Sequence, residues 1–226
     1  MTNSGPRSRS SRIRVVHVVE TMELGGMERM IATLALATDR DRFDVHVLCV
    51  RNVGPVGAEL AQSGIPVHFA ALPRASTAWF GFLTLARMLR VLAPDVVHTH
   101  NTHALLYGVP GARLAGVQRV IHTEHGRKFP DKRRYMLAEW AISGFVHHVV
   151  GVSETMTVAL HRYLRIPRRK LRTIPNGVSR FKPSMSTSSG GCTIGLPFPK
   201  GRRSWEAFPD WFGRKVSRIC CSHGAR

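Results

Sequence analysis

The sequence predicts an α/β protein built on a doubly wound parallel sheet of about seven strands, and three observations predict it. Short apolar runs rich in Val and Ile recur from residue 13 to residue 174. Runs of this kind suit strands buried on both faces. Helix-like segments separate them, so strand and helix alternate along the chain. The first run, IRVVHVV, breaks into a polar loop and then Gly25-Gly26, after which Met27, Met30, Ile31 and Leu34 fall on one helical face. This reads as strand, glycine turn, helix, with the glycines at the strand's carboxyl end.

Taken in order, Phe43 to Val50 (FDVHVLCV) is the second strand, preceded by a polar turn holding Asp39 and Asp41. That D-x-D pair lies between a helix and a strand, so it is read as a solvated turn rather than a metal site. A short helix through Glu59 and Leu60 ends at Gly64, and Ile65 to Ala70 supplies the third strand. A longer helix carries Trp79, Phe82, Leu83, Ala86 and Leu89 or Arg90 on one side and closes at Pro94-Asp95. Asp95 to Thr99 (DVVHT) is the fourth strand, followed by an Ala/Leu-rich helix ending near Gly116. Arg119 to Thr123 is the fifth, running into HTEHGRK; a helix then begins near Pro130 or Asp131. His147 to Val152 is the sixth. Ser153 is placed to cap the next helix, with Glu154 in its first turn. Pro167 ends that helix, and Leu171 to Ile174 makes the last strand before PNGV.

Charge and composition change at the two ends. Of the net charge of +19, +4 lies in residues 1–14, +8 in 15–178 and +7 in 179–226. Such a balance favours acidic partners, but no recognition-helix or aromatic RNA-binding pattern accompanies it, which argues against specific nucleic-acid binding. Residues 1–12 read as a disordered basic tail, neither signal peptide nor membrane span. Residues 13–178 form the domain. Residues 179–226 mix Ser, Gly, Arg, Pro and Trp without a sustained period and read as an irregular basic tail, not a domain. Cys49, Cys192, Cys220 and Cys221 show neither metal spacing nor a disulfide framework, consistent with a reducing cytoplasm.

Backbone amides freed by Gly25 and Gly26 at a helix N-terminus suit an anionic group, phosphate above all. His98, His100, His103, His122 and His125 lie at or after the carboxyl ends of the fourth and fifth strands, which in a parallel sheet face one crevice. With Arg127 and Lys128 they suit a diphosphate-bearing substrate. The spacing H-x-H-x-x-H at His98, His100 and His103 also matches a metal motif of metallo-β-lactamase-like hydrolases. The residue before the last histidine is Thr102 rather than the usual Asp, and the strand–helix alternation does not fit that fold.

The ordered set of the glycine loop with Met27 and Glu28, DVVHTH, HTEHGR, Ser153-Glu154 and PNGV resembles the N-terminal domain of glycosyltransferase family 4, a GT-B fold. The likeness runs from about Arg12 to Pro183. It implies a Rossmann-like, acceptor-binding half of a retaining enzyme that uses a nucleotide-sugar donor and needs no metal or other cofactor. By position, Gly25 and Gly26, with Arg127, would meet the donor diphosphate. His125 would face the reacting sugar, where it positions and stabilises rather than attacks. Asn101, Thr102, His103, Gly126 and Lys128 would face the acceptor. A sugar, polyol or lipid-linked acceptor is implied, with a cytoplasmic location and peripheral contact at the inner membrane face.

Relatives continue past N-G-V into a donor domain with a Glu-x7-Glu motif. Glu20 and Glu28 have that spacing but flank the first glycine loop, and PFPKGRR (Pro197 to Arg203) only faintly resembles a donor-domain start. The expectation is therefore a truncated or frame-shifted copy with poor activity alone. The alternative is a binding subunit that pairs with a separate donor-domain chain. Its docking segment would have to use Trp205, Phe208, Trp211 and Phe212, which Pro209 interrupts.

Overall fold

The structure, a computed structural model, describes residues 12–72 and 80–177. The stretch 1–11, Trp79 and everything from Val178 onward, including three of the cysteines and the Trp205–Phe212 aromatics, lie outside the described residues.

In chain order the elements are β1 (Ile13–Thr21), α1 (Gly26–Ala37), β2 (Phe43–Asn52), α2 (Gly54–Gln62), β3 (Val67–Phe69), α3 (Gly81–Leu92), β4 (Val96–His100), α4 (Asn101–Leu114), β5 (Arg119–Glu124), α5 (Arg133–Ser143), β6 (His148–Gly151), α6 (Glu154–Leu164) and β7 (Leu171–Thr173). The strands form one sheet in the order β3-β2-β1-β4-β5-β6-β7, and every pairing is parallel. The chain winds outward from β1 to β3, then returns to lay β4 on the other side of β1. Right-handed crossovers therefore put α1 and α2 on one face and the later helices on the other. Strand alternation shows both layers. Val16, Val18, Leu48 and Val50 pack with Leu85, Leu105 and Val109, whereas Val19, Val45, Val47 and Cys49 pack with Ile31 and Leu60. Cys49 is buried, and burial pushes its thiol up to about 12, so it behaves as a core hydrophobe.

Local chemistry accounts for the element ends. Ser153 Oγ accepts from the Met156 amide at 3.1 Å and caps α6, and Arg165, in the left-handed region, ends it. Helix α4 lies close on β1 and β4 because position 108 is glycine. A Cβ there would stand 2.8 Å from Thr99 Cγ2 and 3.3 Å from Val18 Cγ1.

Some boundaries differ from the sequence reading. Strand β3 is only Val67–Phe69, because Pro66 joins the ladder through its carbonyl alone, accepting from the Val47 amide. The buried stripe of α3 is Gly81, Leu85, Ala86 and Leu89; Leu83 lies outside it, 38% exposed. Helix α5 starts at Arg133, after a cis Phe129–Pro130 bond. On α1, Ile31 is buried and Met27 and Met30 pack at the core edge, but Leu34 is 41% exposed. The reason is tertiary: α1 and α2 cover β1–β3, and Leu34 overhangs the neighbouring strands instead.

Candidate functional site

The fold reverses direction between β1 and β4, and there the loops after the two strands diverge to opposite faces, opening a crevice at the strands' carboxyl ends. Gly25 is the N-cap of α1, in extended conformation, and the helix opens at Gly26. Its first amides thus face the crevice with the positive end of the helix dipole. A Cβ at Gly26 would meet nothing within 4 Å, so no packing contact demands glycine there. A Cβ at Gly25 would meet the Glu28 carboxylate, which folds back over its own helix start.

On the same edge, His17 of β1 stands opposite His98 of β4 in the sheet register. His17 Nδ1 lies 3.0 Å from His100 Nε2, and His100 Nδ1 lies 2.9 Å from His125 Nε2. His98 Nε2 contacts Thr123 Oγ1 at 2.8 Å. His17 and His100 are 4% and 1% exposed. Burial holds His17 and His125 near a pKa of about 4; burial, then neighbouring imidazoles, takes His98 and His100 well below the ordinary value. These rings are neutral at pH 7. Ligand nitrogens of His17, His98 and His100 all lie within 4.8 Å of one another, close enough to share a metal ion.

The metal motif read from the sequence does not converge. His103 sits in the first turn of α4 and turns to Glu20, its Nδ1 2.9 Å from Oε2, while Glu20 also pairs with Arg51. His17 takes its place in the trio. Sequence order hid this residue, because nothing in IRVVHVV says that β1 will lie beside β4. Its one signal was an imidazole in the middle of an otherwise apolar strand.

The opposite sheet face holds a second polar layer. His122 Nδ1 contacts Thr99 Oγ1 at 3.0 Å, and burial lowers its pKa to about 3, so the 3.9 Å approach of Glu124 is not an ion pair. Burial pushes Glu124 up to about 7 against the pull of Arg127.

Arg127 is not a free cation at the glycine loop. Its guanidinium grips Glu139 with two bonds, donates to Thr102 Oγ1 at 2.6 Å and lies over the Phe129 ring at 4.4 Å. Glu139 is 1% exposed, a partner that the sequence reading did not find. Burial works against the Arg127 charge, but the Glu139 bond outweighs it and the pKa is raised. Asn101, at φ 60°, accepts the His125 amide on Oδ1 at 2.9 Å and places Nδ2 3.1 Å from Met27 Sδ. It therefore ties together the starts of α1 and α4 and the loop after β5. Gly126, at φ 145°, and Lys128 are exposed beside that loop.

A cavity of about 430 Å³ runs along the sheet face that α1 and α2 leave open, lined by Leu34, His98, His100, Thr123, His125 and Asn176 among others. Gly25, Gly26, His125 and Asn101 thus meet around the crevice. Thr102 is held by Arg127, and His103 lies on the Glu20 side. No helix among the described residues is long and apolar enough to cross a membrane.

Comparison with known proteins places this architecture. Over 193 residues the chain is 26% identical to the Escherichia coli UDP-Gal:alpha-D-GlcNAc-diphosphoundecaprenol alpha-1,3-galactosyltransferase, covering 80% of this chain and 49% of that one. Its fold is similar to Anabaena HepE in complex with UDP, with TM-score 0.60, 18% identity, and coverage of 74% and 44%. It is similar also to a glycosyltransferase from Rickettsia africae, with TM-score 0.59, 18% identity, and coverage of 74% and 44%. The chain spans about half the length of each of these relatives. Residues 24–180 match the sequence model of Glycosyltransferase Family 4, and the chain belongs to that family.

Proposed function

We propose that the chain is the acceptor-side half of a retaining glycosyltransferase that uses a nucleotide-sugar, and that a donor domain must complete it. The observation that carries this reading is the meeting, at the β1/β4 reversal, of an open helix N-terminus with His125 at the end of a buried neutral imidazole chain. The α1 amides at Gly25 and Gly26 receive the donor diphosphate, once the Glu28 carboxylate swings aside. His125 faces the transferred sugar and holds it by a hydrogen bond. The diphosphate itself takes the acceptor's proton as it leaves, and attack occurs on the face it vacates. Arg127, committed to Glu139, acts by holding Thr102 and the loop after β5 in shape; Gly126 and Lys128 remain on the acceptor side. No metal enters this scheme.

The E. coli relative's name includes a diphosphoundecaprenol acceptor, which supports a lipid-linked acceptor here. Leu137 and Trp140 on α5 are 65% and 54% exposed, with Arg133 and Arg134 on the same helix. Apolar and cationic groups together suit an anionic membrane surface.

The test is glycosyl transfer and donor hydrolysis with UDP-, GDP- and ADP-sugars, for the purified chain and for a chimera carrying a related donor domain after Asn176-Gly177. Transfer by the chimera alone is expected. Losing the positioning of donor against acceptor is worth on the order of 7 to 11 kcal/mol in barrier. A chimera that folds, binds donor and transfers nothing would overturn the reading. Restoration by a separately added donor-type chain would favour the binding-subunit alternative.

A further inference from the structure

Three imidazoles from two strands stand together on one face of the sheet. His17 of β1 lies opposite His98 of β4 in the parallel register, and His100 follows two residues on, on the same face. Each ring is near both others: the centroids are 5.1 Å apart for His17 and His98, 5.2 Å for His17 and His100, and 4.2 Å for His98 and His100. One ring nitrogen from each makes a triangle with no side above 4.8 Å, and His17 Nδ1 stands 3.0 Å from His100 Nε2. A tetrahedral ion with metal–nitrogen bonds of about 2.0–2.1 Å holds its ligand nitrogens about 3.3 Å apart and the imidazole centroids about 5 Å apart. Two of the three centroid distances already match. The pair on β4 must open by about 1 Å, which a side-chain turn of His98 supplies.

The rings are also held from outside the triangle. His100 turns Nε2 inward to His17 and Nδ1 outward to His125 Nε2, at 2.9 Å, and His98 has Nε2 2.8 Å from Thr123 Oγ1. Ligating imidazoles regularly have such an outer partner on the second nitrogen, which fixes the ring plane and raises its basicity as a ligand. Entry is available, because His98 and His100 line the cavity of about 430 Å³. An ion arriving there finds three nitrogens on the protein side and room for water or hydroxide on the other. The trio contains no carboxylate and no thiolate. Three neutral nitrogens suit Zn²⁺ and its neighbours Co²⁺, Ni²⁺ and Cu²⁺, and do not suit Mg²⁺ or Ca²⁺, which take oxygen ligands.

We propose that His17, His98 and His100 form a binding site for one borderline divalent cation, Zn²⁺ foremost, which ties β1 to β4 and keeps its fourth position toward the cavity. The transfer scheme above assigns no step to a metal, and this site adds none. The ion would pin the two strands whose ends diverge at the crevice and, through His100, steady the ring of His125. Buried imidazoles in apolar strands need partners for their nitrogens. A shared cation gives all three the same one.

Binding is read without a transfer assay, so failure here and failure of the glycosyltransferase reading are separate results. The full chain, freed of metal with a chelator, is titrated with Zn²⁺ against a chromophoric competitor and separately with Co²⁺. One Zn²⁺ per chain is expected, undisturbed by excess Mg²⁺, with a higher thermal unfolding midpoint. Co²⁺ should give the intense visible bands of a four-coordinate site and no thiolate charge-transfer band. His17→Gln and His98→Gln should each abolish binding, and Thr123→Val should weaken it by about 10- to 100-fold. His46→Gln, in the separate His46–His68 pair, should keep it, as should the chain with Cys192, Cys220 and Cys221 all changed to Ser. Absence of binding overturns the proposal and leaves the trio a hydrogen-bonded cluster. Zinc that is unaffected by His98→Gln, or that is lost with the cysteines, overturns it too. Should the histidine variants fail to fold, X-ray absorption of the zinc-loaded native chain decides: three imidazoles at about 2.0 Å support the site, and fewer imidazoles or any sulfur refute it.

Discussion

The two ends of the same sheet carry similar residue types and use them differently. At the amino end, cations and histidine bond mostly to backbone, with one side-chain set, Arg14 to Asp44 at 2.7 Å and Asp44 to His46 at 3.2 Å, as the exception. Arg14 donates to Leu92 O, Arg90 to Leu114 O, and Arg113 to Phe145, Val117 and Gln118 carbonyls. Lys170 donates to the Ser143 and Gly144 carbonyls, and His147 Nδ1 accepts the Val120 amide. Arg14, Arg90 and Lys170 thereby cap the carbonyl ends of α3, α4 and α5, as expected for cations at helix C-termini. A cavity of about 330 Å³ lies there, lined by Arg113, His147, Arg169 and Lys170. At the carboxyl end the polar side chains bond chiefly to one another: imidazole to imidazole, Arg127 to Glu139, His122 to Thr99. Backbone capping stabilises a fold. A buried network of side chains adds little stability that an apolar core would not, which is why this end is the candidate site. The contrast also explains part of the domain's net charge, since several of its cations cap helices rather than await an acidic partner.

Acidification should separate the two ends most strongly. His17, His100 and His122 have native pKa values far below the unfolded 6.5, so below pH 6.5 the unfolded chain takes protons that the native chain refuses. Stability is present above that pH and is lost as pH falls toward the native values of about 4 and about 3 for His17 and His122. At pH 5 each ring contributes about 2 kcal/mol of destabilisation, together comparable with the whole stability of a domain. Thermal unfolding followed from pH 7.5 to 4.5 should show the midpoint collapse between pH 6.5 and 5. A flat profile over that interval would mean that the imidazoles are not buried neutral.

The next effect is a matched pair of truncations. Glu139→Leu strips Arg127 of its bidentate partner, leaving only the looser 3.6 Å approach of part-exposed Asp131, and should cost about 3 kcal/mol in denaturant unfolding, most of it recovered in the double variant with Arg127→Met. Arg113→Met, at the amino end, should cost only about 1–2 kcal/mol, the loss of carbonyl hydrogen bonds near solvent. Equal costs would remove the distinction between network and caps.

Smallest in stability, and the sharpest for function, is Gly26→Val. Its Cβ meets nothing, so unfolding should move by no more than about 0.5 kcal/mol. Donor affinity of the chimera should nevertheless fall by about tenfold or more, because the branched side chain keeps a diphosphate from the α1 amides. Unchanged affinity would move the diphosphate elsewhere.

At the membrane, Leu137→Ser with Trp140→Ser should reduce co-sedimentation with anionic phosphatidylglycerol vesicles while leaving the fold intact. No change would leave α5 without a membrane role.

The sequence by itself determined the alternation of strands and helices, the Gly25-Gly26 opening of α1, the Ser153 cap and the placing of histidines at strand ends. Those are local matters, written in residue spacing, turn chemistry and the burial of Val and Ile runs. It also carried the family, because the order of its motifs survives where each motif is loose. Only the tertiary structure decided which side chains meet. Setting β1 against β4 brought His17 to His98 and His100, and starting α4 at Asn101 turned His103 away to Glu20. Docking α5 set Glu139 on Arg127 and so removed the cation that the sequence offered to the diphosphate. Such pairings join residues 12 to 83 positions apart, and no local pattern encodes them. They follow from strand order, which the whole chain settles by burying both faces of one sheet.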